Sequence, residues 1–115
     1  MGACDNYFCV TYYIILGGYI LYKGGYATVL TGDLADLNNV TNPGFYKTTS
    51  TTQTSALTNA PSGLGLQLDM FVIGGHSSSY FWQIILNKNN VFYRFHSGVS
   101  DSFSEWQNVV MESAQ

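Results

Sequence analysis

The side chains best suited to chemistry lie near the two histidines of the chain, His76 and His96. Ser77 directly follows His76, and Asp101 lies shortly after His96, so a Ser77/His96/Asp101 triad for acyl transfer can be drawn. Serine hydrolases of the α/β type hold the nucleophile in a Gly-x-Ser-x-Gly elbow, and the sequence lacks this motif. The residue types therefore favour a noncatalytic protein.

Other kinds of catalytic or metal site receive no better support from the sequence. Hydrolysis of a glycosidic bond needs two carboxylates on facing walls of a cleft. The two histidines do not stand at a metal-ligand spacing, and no calcium-binding loop of the Asp-x-Asp-x-Asp-Gly type occurs. We expect no metal and no cofactor. The carboxylates that would have to converge in a glycosidase are Asp33, Asp36, Asp69, Asp101 and Glu105.

The aromatic residues support a binding function better than the residues above support catalysis. They make up 16% of the chain, whereas charged residues make up 10%, so some rings must lie near the surface. A ring there can stack on a sugar or fill a pocket of a partner. The alternative, that these rings belong to the core or to a trimer interface, stays open. The candidates for stacking on a saccharide are Tyr80, Trp82, Tyr93 and Trp106.

Composition limits the classes of partner and the compartment. The formal net charge is −3, and Arg94 and the three lysines are scattered, so the chain lacks the basic patch of a nucleic-acid-binding protein. Cys4 and Cys9 are too few for a disulfide framework and do not stand at a metal-binding spacing. Free thiols and an intermolecular disulfide both remain possible.

The first thirty residues read as strands. Residues 7–22 carry no formal charge, but the run is too short to span a bilayer and is interrupted by Gly17, Gly18 and several tyrosines. We therefore expect no membrane insertion. β-branched and aromatic residues between Gly-Gly turns predict a β-meander with strands at 10–16, 19–23 and 26–30.

The remaining chain also follows strand patterns. Leu34, Leu37 and Val40 indicate one short helical turn, and the Ser/Thr-rich residues 49–59 indicate an exposed loop. Leu64, Leu66, Leu68, Met70 and Val72 alternate with the residues between them, as in a half-buried strand. We expect an all-β chain, a small single-domain antiparallel fold. The further predicted strands cover residues 45–48, 64–73, 80–86, 91–96 and 103–110, with a tight turn at 87–90.

Short motifs from Thr31 onwards resemble, in their order and spacing, the knob domain of R-type pyocin fibres and of many phage tail-fibre and receptor-binding proteins. The resemblance covers about 80 residues and leaves residues 1–30 aside. Where that family often has an earlier Trp and a basic residue in the last strand, this chain has Phe103 and Gln107. The motifs are Asp36-Leu37-Asn38, Asn42-Pro43-Gly44-Phe45-Tyr46, Asn59-Ala60-Pro61-Ser62-Gly63, Trp82-Gln83-Ile84, Val91-Phe92-Tyr93-Arg94 and Phe103-Ser104-Glu105-Trp106-Gln107.

The resemblance implies a noncatalytic structural and recognition module of a phage tail fibre or tail-like bacteriocin, located on a virion tail or extracellular tail-like particle. It would contribute to attachment to a host cell-surface glycan or other receptor. We expect residues 1–30 to connect or oligomerise the fibre, as a homotrimer, and residues 31–115 to form the knob-like domain. The alternatives are a free-standing secreted carbohydrate-binding or adhesin module and a degenerate depolymerase.

Overall fold

The computed structural model describes residues 13–16, 19–23 and 27–109, with side chains for residues 27–74 and 77–109. Cys4 and Cys9 lie outside this part of the chain. The elements in chain order are β1 (Tyr13–Leu16), β2 (Tyr19–Lys23), β3 (Thr28–Val29), two 3₁₀ turns (Gly32–Ala35 and Leu37–Asn39), β4 (Gly44–Lys47), α1 (Thr51–Ser55), β5 (Asp69–Ser77), β6 (Tyr80–Asn87), β7 (Asn90–Ser97), β8 (Ser102–Phe103) and β9 (Gln107–Val109).

The prediction of a small all-β fold is confirmed, with two sheets. β1 and β2 pair antiparallel. The other sheet runs β3-β4-β5-β6-β7-β8, and β9 also pairs with β7. It is mixed rather than purely antiparallel, because β3 runs parallel to β4. The expected three-stranded meander is therefore wrong in its last strand, which joins the larger sheet.

The central strands follow the period of two that separates the faces of a sheet. In β6, Phe81, Gln83, Ile85 and Asn87 are buried, while the residues between them are half-buried or exposed. Met70 and Val72 of β5 and Phe92 and Arg94 of β7 lie on the same buried face. The polar residues Gln83, Asn87 and Arg94 therefore lie in the layer that holds the hydrophobic core.

The core lies between this face of the sheet and the segments that connect β3 to β4 and β4 to β5. Leu37 and Val40, which the sequence placed in one helical turn, are both fully buried beside the second 3₁₀ turn. The side-chain amide of Gln83 donates to the backbone oxygens of Leu37 (2.7 Å) and Val40 (2.8 Å), which ties this segment to the sheet. The apolar core residues are Leu30, Leu37, Val40, Tyr46, Leu68, Met70, Val72, Phe81, Ile85 and Phe92.

The strand predicted over residues 64–73 begins later than the alternation indicates. β5 starts at Asp69, and Leu66 has a φ of 59° and is 58% exposed, so it is not part of the buried stripe. The cause is Asn87, whose buried side-chain amide accepts from Gly65 N and donates to the backbone oxygens of Gly65 and Gln67. These bonds take the backbone groups that a longer strand would have used for pairing.

The exposed loop predicted over residues 49–59 contains a helical turn instead. Ser50 caps α1 by accepting from Gln53 N (3.1 Å), and the Gln53 side chain in turn accepts from Thr49 N (2.7 Å). Ser followed three residues later by Gln is the pattern of a capping box, which indicates a helix start. Thr54 of this turn is buried against Thr48, and their hydroxyls lie 2.7 Å apart.

The β6–β7 turn, β4 and the last strand can each be compared with the sequence prediction. The turn between β6 and β7 is confirmed, with Asn87 paired to Asn90 and Lys88 at a φ of 56°. β4 begins within one residue of the expected strand. The last strand, expected over residues 103–110, is divided into β8 and β9, both of which pair with β7.

Within the described residues no helix is long and apolar enough to cross a membrane.

Candidate functional site

The outer face of the larger sheet, opposite the core, is apolar and aromatic. Cross-strand registers join these residues into rows: Phe45 faces Phe71, which faces Ile84, which faces Tyr93. In the next row Ile73 faces Trp82, and Trp82 faces Phe95. We call this surface the outer sheet face, and it comprises Phe45, Phe71, Ile73, Tyr80, Trp82, Ile84, Leu86, Val91, Tyr93 and Phe95.

Three of the four predicted saccharide-stacking residues lie together on this surface. Trp82 is 43% exposed, and its ring centroid lies 4.7 Å from that of Phe95 and 5.9 Å from that of Tyr93. The ring of Tyr80 lies 6.4 Å from that of Phe95. The rings thus form one continuous aromatic strip across β6 and β7.

Trp106, the fourth candidate, lies apart from the strip, beside the buried Arg94 of β7. Its indole N–H donates to the backbone oxygen of Asn59 (3.0 Å), and the Arg94 guanidinium carbon lies 4.6 Å from the centre of its ring. The same guanidinium lies 3.7 Å from the centre of the Phe103 ring. Trp106 therefore supports a buried cation and is half-buried itself.

Arg94 is unusual among the described residues, since it is a charged residue that is only 5% exposed. Its Nε donates to Oε1 of Gln83 (2.7 Å), and its Nη2 donates to Oδ1 of Asn38 (3.0 Å). Within the described part of the chain it makes no ion pair. Burial lowers the pKa of Arg94 to about 10, and the negative charge of Asp36 opposes this effect. The guanidinium therefore carries its positive charge at neutral pH.

A cavity of about 530 Å³ opens beside Arg94, within the roughly 300–1,000 Å³ usual for small-molecule sites. Four separate segments contribute to it: the second 3₁₀ turn, the residues after α1, β7, and β8 with the residue on each side of it. We call it the Arg94 cavity. Its lining residues are Asn38, Asn59, Arg94, His96, Asp101, Ser102, Phe103 and Ser104.

Asp36 does not line the Arg94 cavity, but it binds two residues that do, Asn38 and Asn59. Its Oδ1 accepts from the side-chain amide of Asn59 (2.7 Å) and from the backbone N–H of Asn38 (2.9 Å). The Asn59 bond is the main cause of a lowered pKa of Asp36, and the Asn38 N–H and, more weakly, the charge of Arg94 act in the same direction while burial opposes them. Asp36 thus holds both asparagines in place from its position at the start of the 3₁₀ turn.

Of the hypothetical Ser77/His96/Asp101 triad, the structure brings His96 and Asp101 together but not Ser77. Nε2 of His96 lies 3.4 Å from Oδ1 of Asp101, and Nδ1 of His96 lies 2.7 Å from the backbone oxygen of Ser79. A carbonyl only accepts, so Nδ1 carries the proton and donates. The Ser77 hydroxyl bonds instead with the Ser79 hydroxyl (3.1 Å). Among the described contacts, His96 therefore has no serine hydroxyl as its partner.

Comparisons with protein-family models, with curated proteins and with solved structures found no match for this chain.

The remaining chemistry-bearing residues are dispersed. The side chain of His76 falls outside the described part of the molecule. Asp69 lines a separate groove of about 440 Å³ between β4 and β5, together with Lys47 and Gln67. No group of three or more histidine, cysteine, aspartate or glutamate side chains that could hold a metal ion occurs among the described residues.

Sequence reasoning missed the most strongly built part of the site, the contacts of Arg94. Asn38 and Arg94 are far apart in the chain, so no local spacing links them. One signal was present: Phe92, Arg94 and His96 alternate along β7, and a strand with a buried Phe92 turns Arg94 inwards as well. A single arginine on the apolar stripe of a strand therefore indicates a buried, hydrogen-bonded cation.

Proposed function

We propose that this chain is a noncatalytic structural and recognition module of a phage tail fibre or tail-like bacteriocin. It assembles with copies of itself, as a homotrimer, and contributes to attachment to the host cell surface. The observation that carries the assembly is the outer sheet face. The order of the knob-like motifs from Thr31 onwards supports the wider assignment to a particle in the virion tail or outside the cell.

The outer sheet face has the chemistry of a subunit interface. Soluble monomers rarely expose a continuous apolar patch of more than a few hundred Å². Here the strands β5, β6 and β7 present Trp82, Ile73 and Leu86, each more than a third exposed, beside half-buried aromatic rings. Only Lys47 and Asp69, which face each other at one end, carry formal charges on this face of β4 to β7. A closed, symmetric assembly of copies would remove this surface from water.

The noncatalytic part of the proposal rests on the surroundings of His96. A general base that activates a serine must reach its hydroxyl, usually at about 2.6–3.2 Å. The Ser79 carbonyl takes Nδ1 of His96, and Asp101 faces Nε2. Asp36 is another carboxylate near the cavity. Among the described residues it accepts hydrogen bonds from the Asn38 backbone and the Asn59 side chain, and neither of these groups is a nucleophile.

Light scattering coupled to size-exclusion chromatography tests the assembly on the full chain. We expect three times the mass of one chain at tens of micromolar. Trp82→Glu places a charge in the middle of the outer sheet face and should shift the protein to monomers. Val99→Glu is the matched control, because Val99 is an exposed apolar residue in the turn between β7 and β8 and belongs to neither strand. A strict monomer, or equal behaviour of both variants, would sink the assembly.

A free-standing carbohydrate-binding module or adhesin is the second candidate, and the exposure of Trp82 favours it. Aromatic rings beside one another, tilted and partly in water, can stack on sugar rings. In that case a monomer should bind on a glycan array, and Trp82→Ala should lose the binding without unfolding. Release of sugar from a host polysaccharide would instead support a depolymerase.

A further inference from the structure

We infer that the Arg94 cavity binds a sugar acid, a pyranose that carries a carboxylate, with the carboxylate on Arg94 and the ring hydroxyls on Asp101. This inference deepens the proposed recognition function and rests on it, because it assigns the chemical class of the host-surface group. The outer sheet face lies on the opposite side of the sheet, so assembly leaves the cavity free for a ligand.

The hydrogen bonds of Arg94 are incomplete. A guanidinium has five N–H donors. One, on Nε, is taken by Gln83, and one on Nη2 is taken by Asn38. The other Nη2 proton and both Nη1 protons have no acceptor among the described residues, although Arg94 as a residue is only 5% exposed. Because a buried charged donor without a partner is costly, an acceptor that enters the cavity is strongly favoured.

The position of the guanidinium is fixed before any ligand arrives. Gln83 holds Nε, Asn38 holds Nη2, and the rings of Phe103 and Trp106 lie against the guanidinium carbon. Two planar N–H groups at the end of a fixed arginine match the two oxygens of a carboxylate. The protein loses little conformational freedom on binding, which increases affinity.

The other wall of the cavity favours a sugar over a simple anion. The Asp101 side chain is 91% exposed at the rim and lines the cavity with Ser102 and Ser104. A carboxylate there repels an inorganic anion but accepts hydrogen bonds from hydroxyls. A ligand that combines one carboxylate with several hydroxyls satisfies Arg94 and Asp101 together. Nε2 of His96 lies 3.4 Å from Oδ1 of Asp101 at this opening.

NMR titration of the full chain tests the assignment. Arg94 is the single arginine of the sequence, so its Nε–H signal needs no assignment by mutation. The probes are D-glucuronate, D-glucose as its neutral counterpart, and inorganic phosphate as an anion without a sugar ring. We expect glucuronate to shift the Arg94 signal in a saturable way, and both other probes to bind at least about tenfold more weakly, as the loss of a hydrogen bond to a charged group implies.

The variants separate the two contacts. Arg94→Lys and Asp101→Ala should each weaken glucuronate binding at least about tenfold, and Asp101→Ala should strengthen phosphate binding because it removes the repulsion. Glu105→Gln, an exposed carboxylate outside the cavity lining, is the control and should bind as the parent does. If Arg94→Lys does not fold, Asn38→Ala takes its place. Asn38 is exposed, and its replacement removes the side-chain oxygen that accepts from Nη2 of Arg94.

Each outcome decides the inference. Equal binding of phosphate, equal binding of glucose, or no glucuronate binding would overturn it. Light scattering on the same samples keeps it separate from the proposed function: a trimer that does not bind glucuronate contradicts the sugar-acid site alone, whereas a monomer that binds it contradicts the assembly alone.

Discussion

Gln83 and Arg94 face each other across the β6–β7 hairpin, and the Nε of Arg94 donates to the Gln83 side-chain oxygen at 2.7 Å. Gln83 is fully buried, and its amide nitrogen donates to the backbone oxygens of Leu37 and Val40. One side chain therefore joins the sheet, the 3₁₀ segment and the buried cation. The position of Arg94 in the cavity depends on this bond.

Replacement of Gln83 by leucine tests how much stability this junction supplies. Gln83→Leu keeps the volume but leaves Arg94 Nε and the Val40 carbonyl oxygen without partners, while the Leu37 oxygen keeps only its bond from the Val40 N–H. The free energy of unfolding should therefore fall by roughly 2–4 kcal/mol. Urea unfolding followed by tryptophan fluorescence measures the change. Gln107→Leu, at an exposed position of β9, is the control. A similar loss in both variants would show that the junction is unimportant.

Asn87 is the second buried amide with a structural task. Asn87→Leu should lower the free energy of unfolding by about 1–3 kcal/mol, because the backbone groups of Gly65 and Gln67 lose their partners. Hydrogen exchange should also become faster at the amide of Gly65, whose N–H loses its acceptor. Asn89→Leu, in the exposed turn that follows, should leave exchange at Gly65 unchanged. Unaltered protection of Gly65 in Asn87→Leu would contradict this role.

The cap of α1 gives a smaller and more local prediction. Ser50→Ala removes the acceptor of Gln53 N and should destabilise the protein by about 1 kcal/mol, the usual cost of losing an N-cap. Ser55→Ala, at the exposed last residue of the same helix, should have little effect. Thermal unfolding of both variants beside the parent measures the difference. If Ser55→Ala is as costly as Ser50→Ala, capping does not explain the loss.

The sequence predicted the elements whose signals are local and missed those that depend on distant partners. The strands at 80–86 and 91–96 were predicted, because apolar and aromatic runs flank a short polar turn, and they correspond to β6 and β7. Alternation placed Leu66 in a strand as well, since nothing near it reveals that Asn87 binds the backbone there. The capping pattern at Ser50 and Gln53 was local and readable, but the Ser/Thr-rich composition around it resembles a loop.

The candidate site divides in the same way. Tyr80, Trp82 and Tyr93 were predicted as candidates from their aromatic rings, together with Trp106, and the register of β6 with β7 places these three on one face. Arg94 was noted among the scattered basic residues and within a motif, and neither observation places it in a site. Its partners Gln83 and Asn38 come from two other segments, and only the register of β6 with β7 and the position of the 3₁₀ turn bring them together.

Asp36 should make the free energy of unfolding fall at acid pH. Hydrogen bonds from Asn59 and from the Asn38 backbone lower its pKa in the folded chain below the ordinary value of an aspartate. Between the folded and unfolded pKa values the unfolded chain binds more protons, so this contribution is fully present above the unfolded pKa and disappears as the pH falls through the folded one. Asp36→Asn removes the titrating group. Urea unfolding between neutral pH and pH ~2 should therefore show a steeper acid loss of stability for the parent than for Asp36→Asn, and parallel curves would contradict the role of these hydrogen bonds.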